Sequence, residues 1–117
     1  MRVLKERRNR VQYYEIPKEY IDLTLWMIAF NYKPGTIAST IRELKSIRTR
    51  PDSKTRNAHS IYNRYQIFKN EIGWEVDKNT AMDIRNKIKR LNFIYREKYG
   101  VEAILITQEE LDKYLPI

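Results

Sequence analysis

Residues 33–72 read KPGTIASTIRELKSIRTRPDSKTRNAHSIYNRYQIFKNEI, and two apolar stripes lie in this stretch on either side of Pro51. The first stripe recurs every three or four residues and consists of Ile37, Ile41, Leu44 and Ile47. The second has the same spacing and consists of Ala58, Ile61, Tyr65, Phe68 and Ile72. Because this spacing places side chains on one face of an α-helix, the stretch predicts two helices packed against a common core.

The boundaries of these two helices are predicted from residues that start or stop helices. Thr36 is expected to cap the first helix, and Gly73 to end the second. Between them, Pro51 disfavours helix at the residue before it, and Asp52 or Ser53 offers the next N-cap.

The flanking segments extend the helical pattern in both directions. Residues 18–32 fit a strand or a helix, and the breaker at residues 33–35 favours the helix. A long amphipathic helix is predicted over residues 80–99, with Gly100 as its stop, and Thr107 with Glu110 forms the capping box of a last helix. Short extended segments are expected near residues 11–16 and 101–106.

These elements predict a mainly all-α fold, a small bundle of four to five helices. We divide the chain into a basic arm (1–10), a helical domain (11–100) and a linker with a short C-terminal helix (101–117). The arm, with its excess of arginine, is expected to stay disordered until it meets phosphate.

Composition limits the classes of function. The chain has 117 residues, no cysteine and one histidine, which leaves no thiolate or multi-histidine metal site and no disulfide. The formal net charge is +8, and most of the excess lies in residues 1–60. No secretory signal or membrane-length apolar run is visible, so we expect a cytoplasmic protein, or a virion component if it is structural. We expect no cofactor, no small-molecule ligand and no membrane partner.

The positive charge is concentrated at the predicted helix–helix junction, where few acids oppose it. Crowded guanidinium and ammonium groups are typical of surfaces that bind polyanions, so the sequence predicts a DNA- or RNA-binding protein, with duplex DNA favoured. Self-association on DNA is left open. The candidate DNA-binding residues are Thr36, Ser39, Thr40, Arg42, Lys45, Arg48, Arg50, Lys54, Arg56, Lys87 and Arg90, with Arg7, Arg8 and Arg10 in the arm.

The order of elements resembles the core-binding domain of tyrosine recombinases, especially the integrases of archaea and their viruses. The resemblance covers roughly residues 33–115 and rests on three motifs. The first is the run Pro34-Gly35-Thr36-Ile37; the second is residues 54–58 followed by Tyr62, Tyr65 and Phe68; the third is Ile106, Thr107, Glu109, Glu110 and Leu111, which resembles the entry to the catalytic domain.

This resemblance implies half of a C-shaped clamp on duplex DNA, with helices in or near the major groove. The family's catalytic residues lie in a second domain, so no catalytic residue is assigned here and the chain is not expected to be an enzyme by itself. It is either the amino-terminal piece of a recombinase or a relative that binds without cutting.

Two other interpretations stay open. The chain is alternatively a structural nucleoprotein, such as a packaging or assembly protein, that binds nucleic acid without sequence choice. The third interpretation is a protein–protein adaptor with an incidental charge. The acids Glu75, Asp77 and Asp83 are interpreted as charging the start of the long helix rather than as a nuclease cluster. Asp83 is also placed to pair with Lys87 four residues later.

Overall fold

The computed structural model describes residues 1–8, 10–46 and 56–115, without the side chains of residues 56 and 57. Its elements, in chain order, are strands β1 (Arg2–Arg7) and β2 (Arg10–Glu15), a 3₁₀ turn (Lys18–Tyr20), helices α1 (Ile21–Ala29), α2 (Pro34–Ser46) and α3 (Arg56–Ile67), a π-helical turn (Phe68–Ile72), helix α4 (Lys78–Tyr99), strand β3 (Ile104–Leu105) and helix α5 (Gln108–Tyr114). The mainly helical fold is confirmed, but the chain also forms a small sheet.

The sheet has three antiparallel strands in the order β2-β1-β3, with β1 at its centre. The expectation of a disordered basic arm is therefore wrong for Arg2–Arg7. Successive residues Val3 and Leu4 are both 0 % exposed, so both faces of β1 are covered. The backbone N–H of Leu4 also donates to the carbonyl of Ala103 at 2.7 Å. Burial and ladder hydrogen bonds together offset the cost of ordering this charged segment.

Helix α1 is the centre of the core. Its residues from Leu23 to Ile28 are all buried, which explains why the sequence fits both a strand and a helix: every face is apolar. The predicted helix is confirmed, although it ends at Ala29 rather than Tyr32. Asn31 adopts a left-handed conformation with φ of 65°, and this reverses the chain before α2.

Trp26 lies on α1 at the point where the aromatic residues of the core meet. It is 1 % exposed, as expected for a core residue. Its ring centroid lies 5.1–5.7 Å from those of Phe30, Tyr32, Tyr65 and Phe68. Trp74 is only partly buried at the edge of the same core.

Several helix boundaries differ from the prediction. Helix α2 begins at Pro34, so Thr36 lies inside its first turn and is not the cap. Proline suits this first position because its φ is already helical and its missing N–H would have no partner there. The left-handed stops are confirmed, with φ of 81° at Gly73 and 72° at Gly100. Ile72 was expected on the apolar face but is 65 % exposed. Ile47, Asp52 and Ser53 lie outside the described residues.

Two predicted starts of helices are formed by local hydrogen bonds. Asp77 caps α4 by accepting the Thr80 N–H at 2.8 Å, as expected for an acid at this position. The Thr107 hydroxyl oxygen accepts the Glu110 N–H at 3.1 Å, which confirms one half of the predicted capping box. The Glu110 carboxylate instead accepts the Thr107 hydroxyl at 3.2 Å and the Met1 ammonium at 2.6 Å, which ties α5 to β1.

A polar cluster joins β1 to the end of α4. The Glu6 carboxylate accepts hydrogen bonds from the hydroxyls of Tyr95, at 3.1 Å, and Tyr99, and Lys98 Nζ lies 3.9 Å away. The hydrogen bond from Tyr99 is the main cause that lowers the pKa of Glu6, and Tyr95 and Lys98 act in the same direction. The pKa of Tyr95 is raised from 10.0 to about 12; burial is the main cause, and the hydrogen bond to Glu6 is the second. The ionised carboxylate and the neutral phenol are therefore both favoured by folding.

We expect this cluster to make stability depend on pH at both ends of the scale. The contribution of Glu6 is present above its ordinary pKa of 4.5 and is lost as the pH falls through the lowered folded value. The contribution of Tyr95 is present below pH 10.0 and is lost as the pH rises towards about 12. Tyr95→Phe should cost about 1 kcal/mol at neutral pH and flatten the alkaline loss.

The measurement is urea unfolding of both proteins across the acid and alkaline ranges. Tyr62→Phe is the matched control, because the Tyr62 hydroxyl has no hydrogen bond to any described residue. Equal alkaline slopes for wild type and Tyr95→Phe would show that the cluster does not contribute.

No helix within the described ranges is long and apolar enough to cross a membrane.

Candidate nucleic-acid interface

The β1–β2 hairpin and helix α2 bring cationic side chains together. Strand register pairs Lys5 with Gln12 and Arg7 with Arg10. Because side chains alternate along a strand, these four residues and Tyr14 share one face of the hairpin. Helix α2 packs on this face, where Lys45 Nζ lies 5.9 Å from the centroid of the Tyr14 ring. We call the resulting group the basic surface; it consists of Lys5, Arg7, Arg8, Arg10, Arg42 and Lys45.

The charges of the basic surface repel one another. Burial is the main cause that lowers the pKa of the Lys5 ammonium, and the positive charges of Arg42 and Arg7 lower it further. The carboxylate of Glu43 acts in the opposite direction. The two basic segments, 35 residues apart between Arg7 and Arg42, are therefore close enough in space to interact.

Some cations of the protein are neutralised by ion pairs, whereas those of the basic surface are not. Arg2 pairs with Glu15 at 2.9 Å, Lys87 with Asp83 at 3.0 Å, and Arg96 with Glu102 at 2.5 Å. None of the six cations of the basic surface forms an ion pair with any described residue, which is also true of Lys18, Lys78 and Lys113. What distinguishes the six is that they lie together on one hairpin and one helix. Their charge is left to be balanced by ions or by a polyanionic partner.

The hairpin turn presents the most accessible part of this surface. Arg7, Arg8 and Arg10 are all exposed, and Arg8 is left-handed with φ of 48°. These residues were expected on a disordered arm; the structure instead places Arg7 and Arg10 opposite each other at the end of a paired ladder. Arginines held on a strand lose less side-chain and backbone freedom on binding than arginines on a loose arm.

The three hydroxyl residues predicted to bind DNA lie on a different side of α2 from the basic surface. Thr36, Ser39 and Thr40 line a cleft between α2 and α3, and Thr40 is only 4 % exposed. Of these three candidate DNA-binding residues, Thr40 is therefore not on the outer surface. One side of helix α2 packs on β1 and another packs on α3. The side that carries the hydroxyls therefore faces α3, and the side that carries Arg42 and Lys45 lies against the hairpin.

The two candidates predicted on α4, Lys87 and Arg90, have different surroundings. Lys87 Nζ donates to the Ala29 carbonyl at 2.5 Å and so binds the C-terminal end of α1. It also forms the ion pair with Asp83 that the spacing of four residues predicted. Arg85 donates to the Leu115 carbonyl at 3.3 Å. Arg90 is exposed on α4. Arg48, Arg50 and Lys54 lie outside the described residues, as does the side chain of Arg56, the first residue of α3.

Lys5 was missed as a candidate site residue. Residues 2–7 (RVLKER) do not alternate between apolar and polar side chains, so they carry no strand signal, and the surrounding charges gave the segment the appearance of an arm. The ring of Tyr14 supports the Lys45 ammonium through a cation–π interaction.

In the described ranges, no group of three or more His, Asp or Glu side chains is arranged to hold a metal ion. Comparisons with protein-family models, curated proteins and solved structures gave no match to this chain. The basic surface therefore provides the main physical basis for a functional assignment.

Proposed function

We propose that this chain is a nucleic-acid-binding module that holds duplex DNA against the basic surface. The observation that supports it most directly is that the six cations lie together on one hairpin and one helix without an ion pair to any described residue. Phosphates of a duplex would supply the missing negative charge, and the release of their counterions would favour binding.

The shape of the surface suits a duplex. A two-stranded antiparallel ribbon fits the major groove, as an α-helix does. In this arrangement Arg7, Arg8 and Arg10 contact phosphates or guanine edges at the tip, while Arg42 and Lys45 contact the adjacent backbone. The resemblance to integrase core-binding domains leads to the same partner and stays a prediction, as does binding without cutting.

A salt titration tests this proposal. A fluorescein-labelled duplex should bind in an anisotropy assay, with affinity falling linearly in a plot of log K against log salt. With up to six phosphate contacts the slope should approach about −5. Absence of binding at roughly 50 mM salt would refute the proposal and favour an adaptor protein with incidental charge.

The second candidate is a structural nucleoprotein that binds without sequence choice. It is favoured by the chemistry of the basic surface, where Arg and Lys predominate and the hydroxyl groups of α2 face the cleft. Competition between duplexes selected from a random pool and the starting pool separates the two candidates. A ratio of affinities near one supports the structural nucleoprotein, and a large ratio supports a sequence-selective module.

A further inference from the structure

The cleft between α2 and α3 has a volume of about 330 Å³. Its lining consists of Gly35, Thr36, Ser39, Thr40, Glu43, Ala58 and Ile61. The hydroxyls and the carboxylate provide hydrogen-bonding groups, and the alanine and isoleucine provide apolar walls. A volume of this size lies at the small end of ligand-binding pockets.

Thr40 provides the clearest sign that the cleft is built for a polar ligand. The two buried threonines of the described core differ in their partners. The Thr24 hydroxyl donates to the Tyr20 carbonyl at 2.9 Å, whereas the Thr40 hydroxyl has no hydrogen bond to any described residue. The Thr40 side chain as a whole is 4 % exposed, but its hydroxyl oxygen is not among the buried polar atoms that lack a partner, so water reaches it from the cleft. A polar ligand atom in the cleft would take the place of that water.

Glu43 sets the chemistry at one side of the cleft. An ionised carboxylate only accepts hydrogen bonds, and Glu43 forms no ion pair within the described part of the chain. Glu43 follows Arg42 directly in α2, and its negative charge raises the pKa of Lys5. The cleft therefore lies beside the basic surface, and a strand held there passes close to it.

We propose that the cleft binds one unpaired guanine of a nucleic acid held on the basic surface, an inference that rests on the proposed function. Guanine carries adjacent donors, N1–H and N2–H, which match the two oxygens of Glu43. Its O6 and N7 are acceptors for the hydroxyls of Thr40 and Ser39. Thymine is the contrasting base, because its single imide N–H lies between two carbonyl oxygens that the carboxylate would repel.

The test compares three duplexes of matched length: one fully paired, one with a single bulged guanine, and one with a bulged thymine. Anisotropy titrations of the wild type should give about tenfold tighter binding to the guanine bulge than to the thymine bulge, the effect of one bidentate contact. Thr40→Val removes the hydroxyl at nearly constant volume, and Glu43→Gln replaces one acceptor oxygen with a donor. Both should bring the ratio close to one while the fully paired duplex is still bound.

The outcomes separate this inference from the proposed function. Binding to the paired duplex with no preference between the bulges overturns the guanine site alone. A guanine preference that persists unchanged in both variants also overturns it, because the contacts would then lie elsewhere. Loss of all binding by the wild type overturns both. Circular dichroism of each variant confirms that its fold is kept.

Discussion

Replacing the three arginines of the hairpin turn should lower affinity for duplex DNA by about two to three orders of magnitude. The variant combines Arg7→Gln, Arg8→Asn and Arg10→Gln. Each lost charged contact is worth about 1.5 kcal/mol, or roughly tenfold in affinity. Asparagine is chosen at residue 8 because it tolerates the left-handed conformation there, where φ is 48°. All three side chains are exposed, so the unfolding transition should be nearly unchanged.

A matched control removes the same charge elsewhere. Lys18→Gln, Lys78→Gln and Lys113→Gln also delete three positive charges, and all three side chains are exposed outside the basic surface. This control should lose much less affinity, and its salt slope should stay close to that of the wild type, whereas the hairpin variant should lose about three units of slope. Equal losses in the two variants would show that net charge alone attracts the DNA and that the hairpin is not the contact.

Trp26→Ala should be the most destabilising single substitution proposed for this protein. Trp26 is 1 % exposed and packs against four other aromatic rings, so its removal leaves a large cavity in the core. A loss of about 3–5 kcal/mol is expected. Domains of this size are stable by only about 5–15 kcal/mol, so the variant would be close to unfolding.

Two further variants should be less destabilising than Trp26→Ala. Trp26→Phe should cost less than Trp26→Ala, because the Nε1 of Trp26 is buried without a hydrogen-bond partner among the described residues and phenylalanine fills part of the space. Trp74→Ala removes a tryptophan that is only partly buried and should cost about half as much. Urea unfolding followed by circular dichroism measures all three. A larger loss for Trp74→Ala would contradict the central position of Trp26.

The helices of this fold were predictable because their signals are local. The stripe through Ala81, Ile84 and Ile88 identified α4, and Gly100 marked its end through its freedom to adopt positive φ. The exact starts were less predictable. At α2 two valid starts compete, proline at the first position and threonine as a cap, and only packing against β1 and α3 decides between them.

The sheet was less predictable, because its pairing spans the chain. Val3 lies opposite Ile104, and no local pattern connects two residues so far apart. In the sequence, the charges of Lys5 and Arg7 outweigh the short apolar pair Val3–Leu4, so the segment resembles a solvated arm. The burial that orders it comes from α2, β3 and the end of α4.

By itself, the sequence determined that this protein is a mainly helical chain with an excess of positive charge in residues 1–60, including Arg7, Arg8, Arg10, Arg42 and Lys45. Periodicity and composition are properties of neighbouring residues, so they are readable without coordinates. Only the tertiary structure decided that the hairpin and α2 form one basic surface, that Thr40 is buried between α2 and α3, and that Lys87 binds within the protein. Which charges meet and which hydroxyls are buried depends on how distant elements pack, and long-range packing is encoded in no single segment.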